Sequence, residues 1–203
     1  MKSTVLSWII ISIAVIASIV TYPYLPDQMA IHWDINNEIN GFAHKAFALL
    51  LLPALMVILI VILPRKQNYH KHKAALLIIQ NVILLCLLVL HSTTIALGYG
   101  FAIDIEKVVI PMIGVIMSVS GIFMPRFQHD SFIGIKTAHT LASESVWKKT
   151  HQMAAEFYFF GGLLMIASAF VPSPYQVFIF FGIILIVVLA SVYLSFHYGK
   201  DHN

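Results

Sequence analysis

The sequence predicts an all-α integral membrane protein, a six-transmembrane-helix bundle with both termini inside, one long outer loop, and one long inner loop carrying a short interfacial helix. Three observations predict it. Six apolar stretches occupy residues 4–21, 46–63, 74–97, 108–124, 153–171 and 175–197, and each is long enough to cross a hydrocarbon layer about 30 Å thick as a helix. The composition is 60% hydrophobic and only 10% charged, with a mean hydropathy of +0.88, far too apolar for a soluble domain of this size. The basic residues fall almost entirely on alternate loops. With the N-terminus inside, Lys2, Arg65, Lys66, Lys71, Lys73, Arg126, Lys136, Lys148, Lys149 and Lys200 face inward, and only Lys45 and Lys107 face outward, the asymmetry that resists translocation of positive loops.

Backbone amides inside a bilayer must be paired within the chain, and the absence of period-2 alternation selects helices over a barrel. The whole chain, 1–203, reads as a single membrane domain without an internal repeat. A pI near 9.0 reflects the inner basic belt, which suits anionic headgroups of the lipid bilayer. Too few exposed aromatic and basic residues interleave for nucleic-acid binding.

The first stretch begins after Lys2 and contains the small residues Ala14, Ala17 and Ser18, as a secretory signal does, but it lacks a clean small-x-small site and is read as an uncleaved span. The outer loop, 22–45, holds Asp27, His32, Trp33, Asp34, Glu38, His44 and Lys45. Pro23 and Pro26 fix the backbone where the helix leaves the membrane. Asn36-Asn37 and Asn40-Gly41 are turn formers, so the loop is expected to be compact. Trp33 and the two tyrosines suit the headgroup level. His32, Asp34, Glu38 and His44 match no zinc-ligand spacing, so no metal site is assigned.

Within the third stretch, Gln80 and Asn81 are amides suited to bonding a neighbouring helix. Cys86 lies mid-span as an inert small residue, and His91 precedes Ser92, Thr93 and Thr94. Ser143 is a candidate N-cap with Glu144 at the positive end of the dipole. Trp147 and His151 then stack at i and i+4, on a short helix expected to run straight into, or kink before, the fifth span and to lie on the inner headgroups with Trp147 as an anchor. Glu156 enters the fifth stretch in its first turn, where Arg126 or Lys136 is the expected partner. An inner polar cluster of Gln80, Asn81, Arg126, Lys136, His151 and Glu156 follows from that placement. Gly161, Gly162 and Gly182 are expected to permit close helix contact. No nucleophile elbow, phosphate loop or paired catalytic carboxylates occur, so neither an enzyme nor a cofactor is expected.

Two segments carry a resemblance. Tyr22-x-x-Leu25-Pro26-x-x-Met29-Ala30-Ile31-His32-Trp33, followed by Asn40-Gly41-Phe42-Ala43-His44-Lys45, resembles the first module of the SdpI-like bacterial immunity proteins. Gly134-Ile135-Lys136-Thr137-Ala138-His139-Thr140-Leu141, then Val146-Trp147-x-x-Thr150-His151, resembles their second. Lys136 stands where the family has arginine, keeping the charge but not the planar fork. Ala138-His139 stands where it has Pro-Trp.

The resemblance implies a multi-pass protein of the bacterial plasma membrane that protects a cell from a secreted peptide toxin. It also implies a receptor able to hold a cytoplasmic transcriptional repressor at the membrane. On that reading Tyr22, Leu25, Pro26, His32, Trp33 and Lys45 face the toxin. Gly134, Lys136, Thr137, Thr140, Leu141, Trp147, Thr150 and His151 form the inner motif. The residues alone leave two other classes open: a small ion- or proton-coupled transporter working through His91 and Glu156, and a membrane metalloenzyme. The latter would use His32, Asp34 and His44 outside, or His129, His139 and His151 inside.

Overall fold

The computed structural model describes residues 2–62, 73–129, 133–173 and 175–200. Arg65, Lys66 and Lys71 of the inner basic belt, and the side chain of Lys2, lie outside the described residues. Among the described residues seven α-helices and one hairpin follow in order: α1 (Lys2–Thr21), β1 (Gln28–Trp33), β2 (Ile39–His44), α2 (Lys45–Ile62), α3 (Lys73–Gly98), α4 (Glu106–Phe123), α5 (Ala138–Ala142), α6 (Glu144–Ala167) and α7 (Tyr175–Lys200). Six of the helices are long and apolar enough to cross a membrane. They coincide with the six stretches read from the sequence, except that the fifth starts earlier.

Two compact units result. The first contains α1, the hairpin, α2, α3 from Leu76 and the chain to Val109; the second runs from Ile110 through α7. In the first unit α1 buries Ser7, Ile10, Ile11 and Ala14, a stripe at i, i+3, i+4 and i+7, while Ile9, Ile13, Ile16 and Ile19 stay exposed as a lipid-facing surface. Ile10, Ile11, Ala14, Met56 and Leu84 form its core. A second cluster of Leu25, Met29, Ala48, Leu49 and Ile95 seats the base of the hairpin on the helix ends.

The hairpin departs from the all-α expectation. The strands pair antiparallel, Gln28 opposite His44 and Met29 opposite Ala43, with irregularities on both sides of His32. Asn36 and Asn37 do form the turn: the Asp34 carboxylate accepts from the backbone N–H groups of Asn36 and Glu38, both at 2.9 Å, and Asn37 takes φ 63°. Asn40 and Gly41, however, lie in β2. Gly41 is there because a Cβ would come within 2.8 Å of the His32 Cβ.

In the second unit Ile110, Met117, Met165, Ile183 and Val187 form the core. α4 and α6 touch at backbone distance. A Cβ on Gly114 would lie 2.6 Å from the Gly162 carbonyl, and the Ser118 hydroxyl donates to the Phe159 carbonyl at 3.1 Å, the small-residue packing used between helices in lipid. Gly161 packs on Ile183 and Val187 of α7, but Gly182 meets nothing within 4 Å and has no such role.

Of the alternatives for the helix between Ser143 and the fifth span, the structure takes the first: it runs straight into that span and does not lie apart from it. Ser143 does cap, its hydroxyl accepting from the Val146 N–H at 3.4 Å, and the helix it starts continues unbroken to Ala167. No proline interrupts that run, and Glu144 and Lys148 pair at 3.3 Å across one turn. The short helix of this loop is α5 instead, capped by Thr137 in a reciprocal box with Thr140.

Candidate functional site

Two constellations hold the candidate residues, one in each unit. In the second unit Trp147 is fully buried, which contradicts its expected role as a lipid anchor. Its indole Nε1–H donates to the Phe127 carbonyl at 2.8 Å. The ring stacks on His151 with centroids 4.0 Å apart and meets the edge of His129 at 5.4 Å. His151, also buried, spans two elements: Nδ1 lies 2.8 Å from the Trp147 carbonyl and Nε2 accepts the Ile135 N–H at 2.9 Å. A carbonyl at one nitrogen and an N–H at the other fix a neutral imidazole with its proton on Nδ1.

The loop is shaped to fit this pair. Gly134 takes φ +126°, and any Cβ there would overlap His151 Nε2 and the Trp147 ring. The Thr140 hydroxyl donates to the Ile135 carbonyl at 2.8 Å and accepts from the Thr137 N–H at 2.9 Å. Thr137 reaches the Ser195 hydroxyl on α7. His139 packs edge-on against Phe196 of α7 at 4.7 Å, and a Cβ on Gly199 would strike its ring. Thr150 is fully buried and its hydroxyl finds no partner among the described residues. Leu141 and Lys136 are exposed.

Glu156 differs from expectation. Its side chain is exposed, and among the described residues the ion pairs are Lys45–Asp27, Lys107–Asp104 and Lys148–Glu144. Arg126 lies over the Phe123 ring at 5.4 Å instead. The buried face of α6 is Trp147, Thr150, His151, Ala154 and Ala155, and Glu156 falls on the far side of that 3.6-residue repeat.

In the first unit Gln80 and Asn81 are buried against α1. Ser7 donates to the Asn81 side-chain oxygen at 2.7 Å, and the Gln80 amide donates to Ser7 at 3.3 Å. A second tie joins three helices. Pro53, inside α2, has no N–H to give to the carbonyl four residues before it, which is that of Leu49. The Ser18 hydroxyl lies 3.1 Å from this freed oxygen and 2.9 Å from His91 Nε2. His91 is fully buried, and this contact ties α3 to α1. Ser18→Ala is expected to remove the hydroxyl shared by the Leu49 carbonyl and His91, lowering stability by about 1–3 kcal/mol, read as a lower melting temperature of the solubilised protein.

At the end of this unit Lys45 gathers the hairpin base. Its ammonium pairs with Asp27 at 3.1 Å, donates to the Leu25 carbonyl at 3.1 Å and lies over the Tyr22 ring at 4.9 Å. Leu25 is buried in the core. His32 Nδ1 lies 2.5 Å from the Asn40 side-chain oxygen. Pro26 and Trp33 line a cleft of about 450 Å³ between the hairpin and residues 97–104. Sequence reasoning missed its far wall, Phe101 and Asp104, as it missed Ser18; only the interior Pro53 signals the latter.

Among the described residues no three His, Cys, Asp or Glu side chains converge as metal ligands. The inner histidines required by a metalloenzyme are engaged elsewhere: His151 as above, His139 on Phe196, and His129 with the Leu141 carbonyl at 3.1 Å.

Comparison with known proteins divides along the same line. A family model described as a domain of unknown function (DUF1648) matches residues 9–57, and one described as the SdpI/YfhL protein family matches residues 126–195. The immunity protein SdpI of Bacillus subtilis (strain 168) is 26% identical over 205 residues, covering 100% of this chain and 99% of that protein. The uncharacterized membrane protein YbgB of the same strain is 43% identical over 49 residues, covering 24% of this chain and 54% of that protein. No solved structure matches.

Proposed function

This chain is an SdpI-like family member of the multi-pass bacterial membrane class, and from that premise we propose that it is a membrane immunity protein protecting its cell from a secreted antimicrobial peptide toxin. The likeness to an immunity protein along the full length of both chains carries the reading. The two motif segments support it, since each builds a defined surface rather than a tether: the hairpin with its cleft, and the loop locked to α6 by Trp147 and His151.

On this reading the hairpin end faces outward, where toxin arrives, and both termini face inward. A reporter fused after Asn203 is expected to read as cytoplasmic and one inserted near Asn37 as external; the reverse pattern overturns the orientation. Expression in a sensitive strain is expected to raise the concentration of cognate peptide tolerated. If the intact protein confers no resistance to any peptide toxin of its own organism and instead moves a solute across proteoliposomes, the transporter reading replaces this one.

The second half of the reading is a receptor that sequesters a transcriptional repressor. On this reading the exposed face beside the locked loop, at Lys136, Leu141 and Lys148, meets the cytoplasmic partner. Substituting them is expected to release the repressor without loss of membrane abundance.

A further inference from the structure

The hairpin is held at both ends and open in the middle. Its base is fixed by Leu25 and Met29 in the helix-end cluster. Its tip is fixed by Asn37, whose side-chain N–H donates to the Asp104 carboxylate at 3.2 Å and whose oxygen accepts the Ile105 N–H at 3.0 Å. Between these fixed points lies the cleft, with Met29, Trp33, Ile39 and Phe42 on the hairpin side and Phe101 and Ile103 opposite. Phe42 and Phe101 are 60% and 64% exposed, the kind of paired apolar surface that marks a binding groove.

The charge at this end is one-sided. Residues 22–45 and 99–107 contain five carboxylates, Asp27, Asp34, Glu38, Asp104 and Glu106, and two ammonium groups, Lys45 and Lys107. Both cations are already taken, by Asp27 at 3.1 Å and by Asp104 at 3.0 Å. Asp34, Glu38 and Glu106 have no basic partner among the described residues, and Glu106 keeps one buried carboxylate oxygen without a hydrogen bond. Asp34 and Glu38 flank the turn that carries Asn37, and Asn37 itself lines the cleft. An anionic membrane surface is repelled by such a rim, and a second copy of the same end is repelled too. A chain carrying lysine or arginine is attracted.

Resting on the immunity reading above, we propose that the cleft between the hairpin and residues 97–104 captures an apolar peptide segment with flanking basic residues, its apolar side chains entering between Phe42 and Phe101 and its cations meeting Glu38 and Asp34. Apolar burial supplies the affinity, and the acidic rim selects the sign of the partner and speeds encounter.

The test uses the full-length protein in phosphatidylcholine nanodiscs and two labelled synthetic hexapeptides, Lys-Phe-Lys-Leu-Lys-Phe and its counterpart with glutamate for lysine. The lysine peptide is expected to bind saturably and roughly tenfold tighter than the glutamate peptide, and Glu38→Lys and Phe42→Ser are each expected to weaken it severalfold. Equal binding of the two peptides, equal uptake by protein-free discs, or indifference to both substitutions overturns the proposal. So does binding that appears only with anionic lipid, or a dimer formed through this end. The cellular arm separates the two levels of inference. Wild-type protection matched by Glu38→Lys and Phe42→Ser at normal abundance removes the cleft but leaves immunity standing, whereas failure of the wild type to protect removes immunity itself.

Discussion

Trp147→Ala is expected to remove most folded protein from the membrane, at a cost of about 3–5 kcal/mol. The indole fills a fully buried site, stacks on His151 and donates to the Phe127 carbonyl, so truncation leaves a cavity and removes a buried hydrogen bond together. Trp147→Tyr separates this role from lipid anchoring. Tyrosine serves as well as tryptophan at a headgroup belt, but in this pocket its hydroxyl is misplaced and the variant is expected to melt well below wild type. Unchanged abundance and melting temperature in Trp147→Tyr would return the residue to the interface.

Gly134→Ala is expected to be comparably damaging although it adds a single methyl group. The backbone at φ +126° strains any residue with a Cβ by about 1–3 kcal/mol. The added atom also overlaps His151 Nε2 and the Trp147 ring, forcing apart a pair that holds the loop, and overpacking of this kind costs about 1–3 kcal/mol more. Leu141→Ala is the control in the same loop. Its side chain is 43% exposed, and its melting temperature is expected to change little. Equal stability of Gly134→Ala and wild type would show that the loop does not close on the helix in this way.

The spans were legible because lipid imposes one rule on length and hydropathy, and the chain obeys it six times. The cap at Ser143 and the Trp147–His151 pair were legible for a similar reason: both are set by spacing along one helix. The direction in which Trp147 points was not. A tryptophan beside Lys148 and Lys149 has the local composition of an interfacial anchor, and only Phe127, twenty positions earlier, reveals the core. The hairpin escaped because irregular pairing on both sides of His32 breaks the alternation that identifies strands. Pairing Glu156 with Arg126 or Lys136 relied on depth in the membrane and ignored helical phase, which places the carboxylate on the exposed face of α6.

The inner loop closes on α6 through short sequence separations. Phe127 meets Trp147 across 20 residues and Ile135 meets His151 across 16, whereas Thr137 meets Ser195 across 58. Closing a short loop costs less chain entropy and occurs sooner than closing a long one, and a nascent chain emerges N-terminal part first. The lock is therefore expected to be in place before α7 has been synthesised, with the last helix docking onto a surface already formed by Thr137 and His139. Truncation before Tyr175 should leave the Phe127–Trp147–His151 lock intact, making the family's inner motif an assembly platform for the helix that follows it as well as a surface for partners.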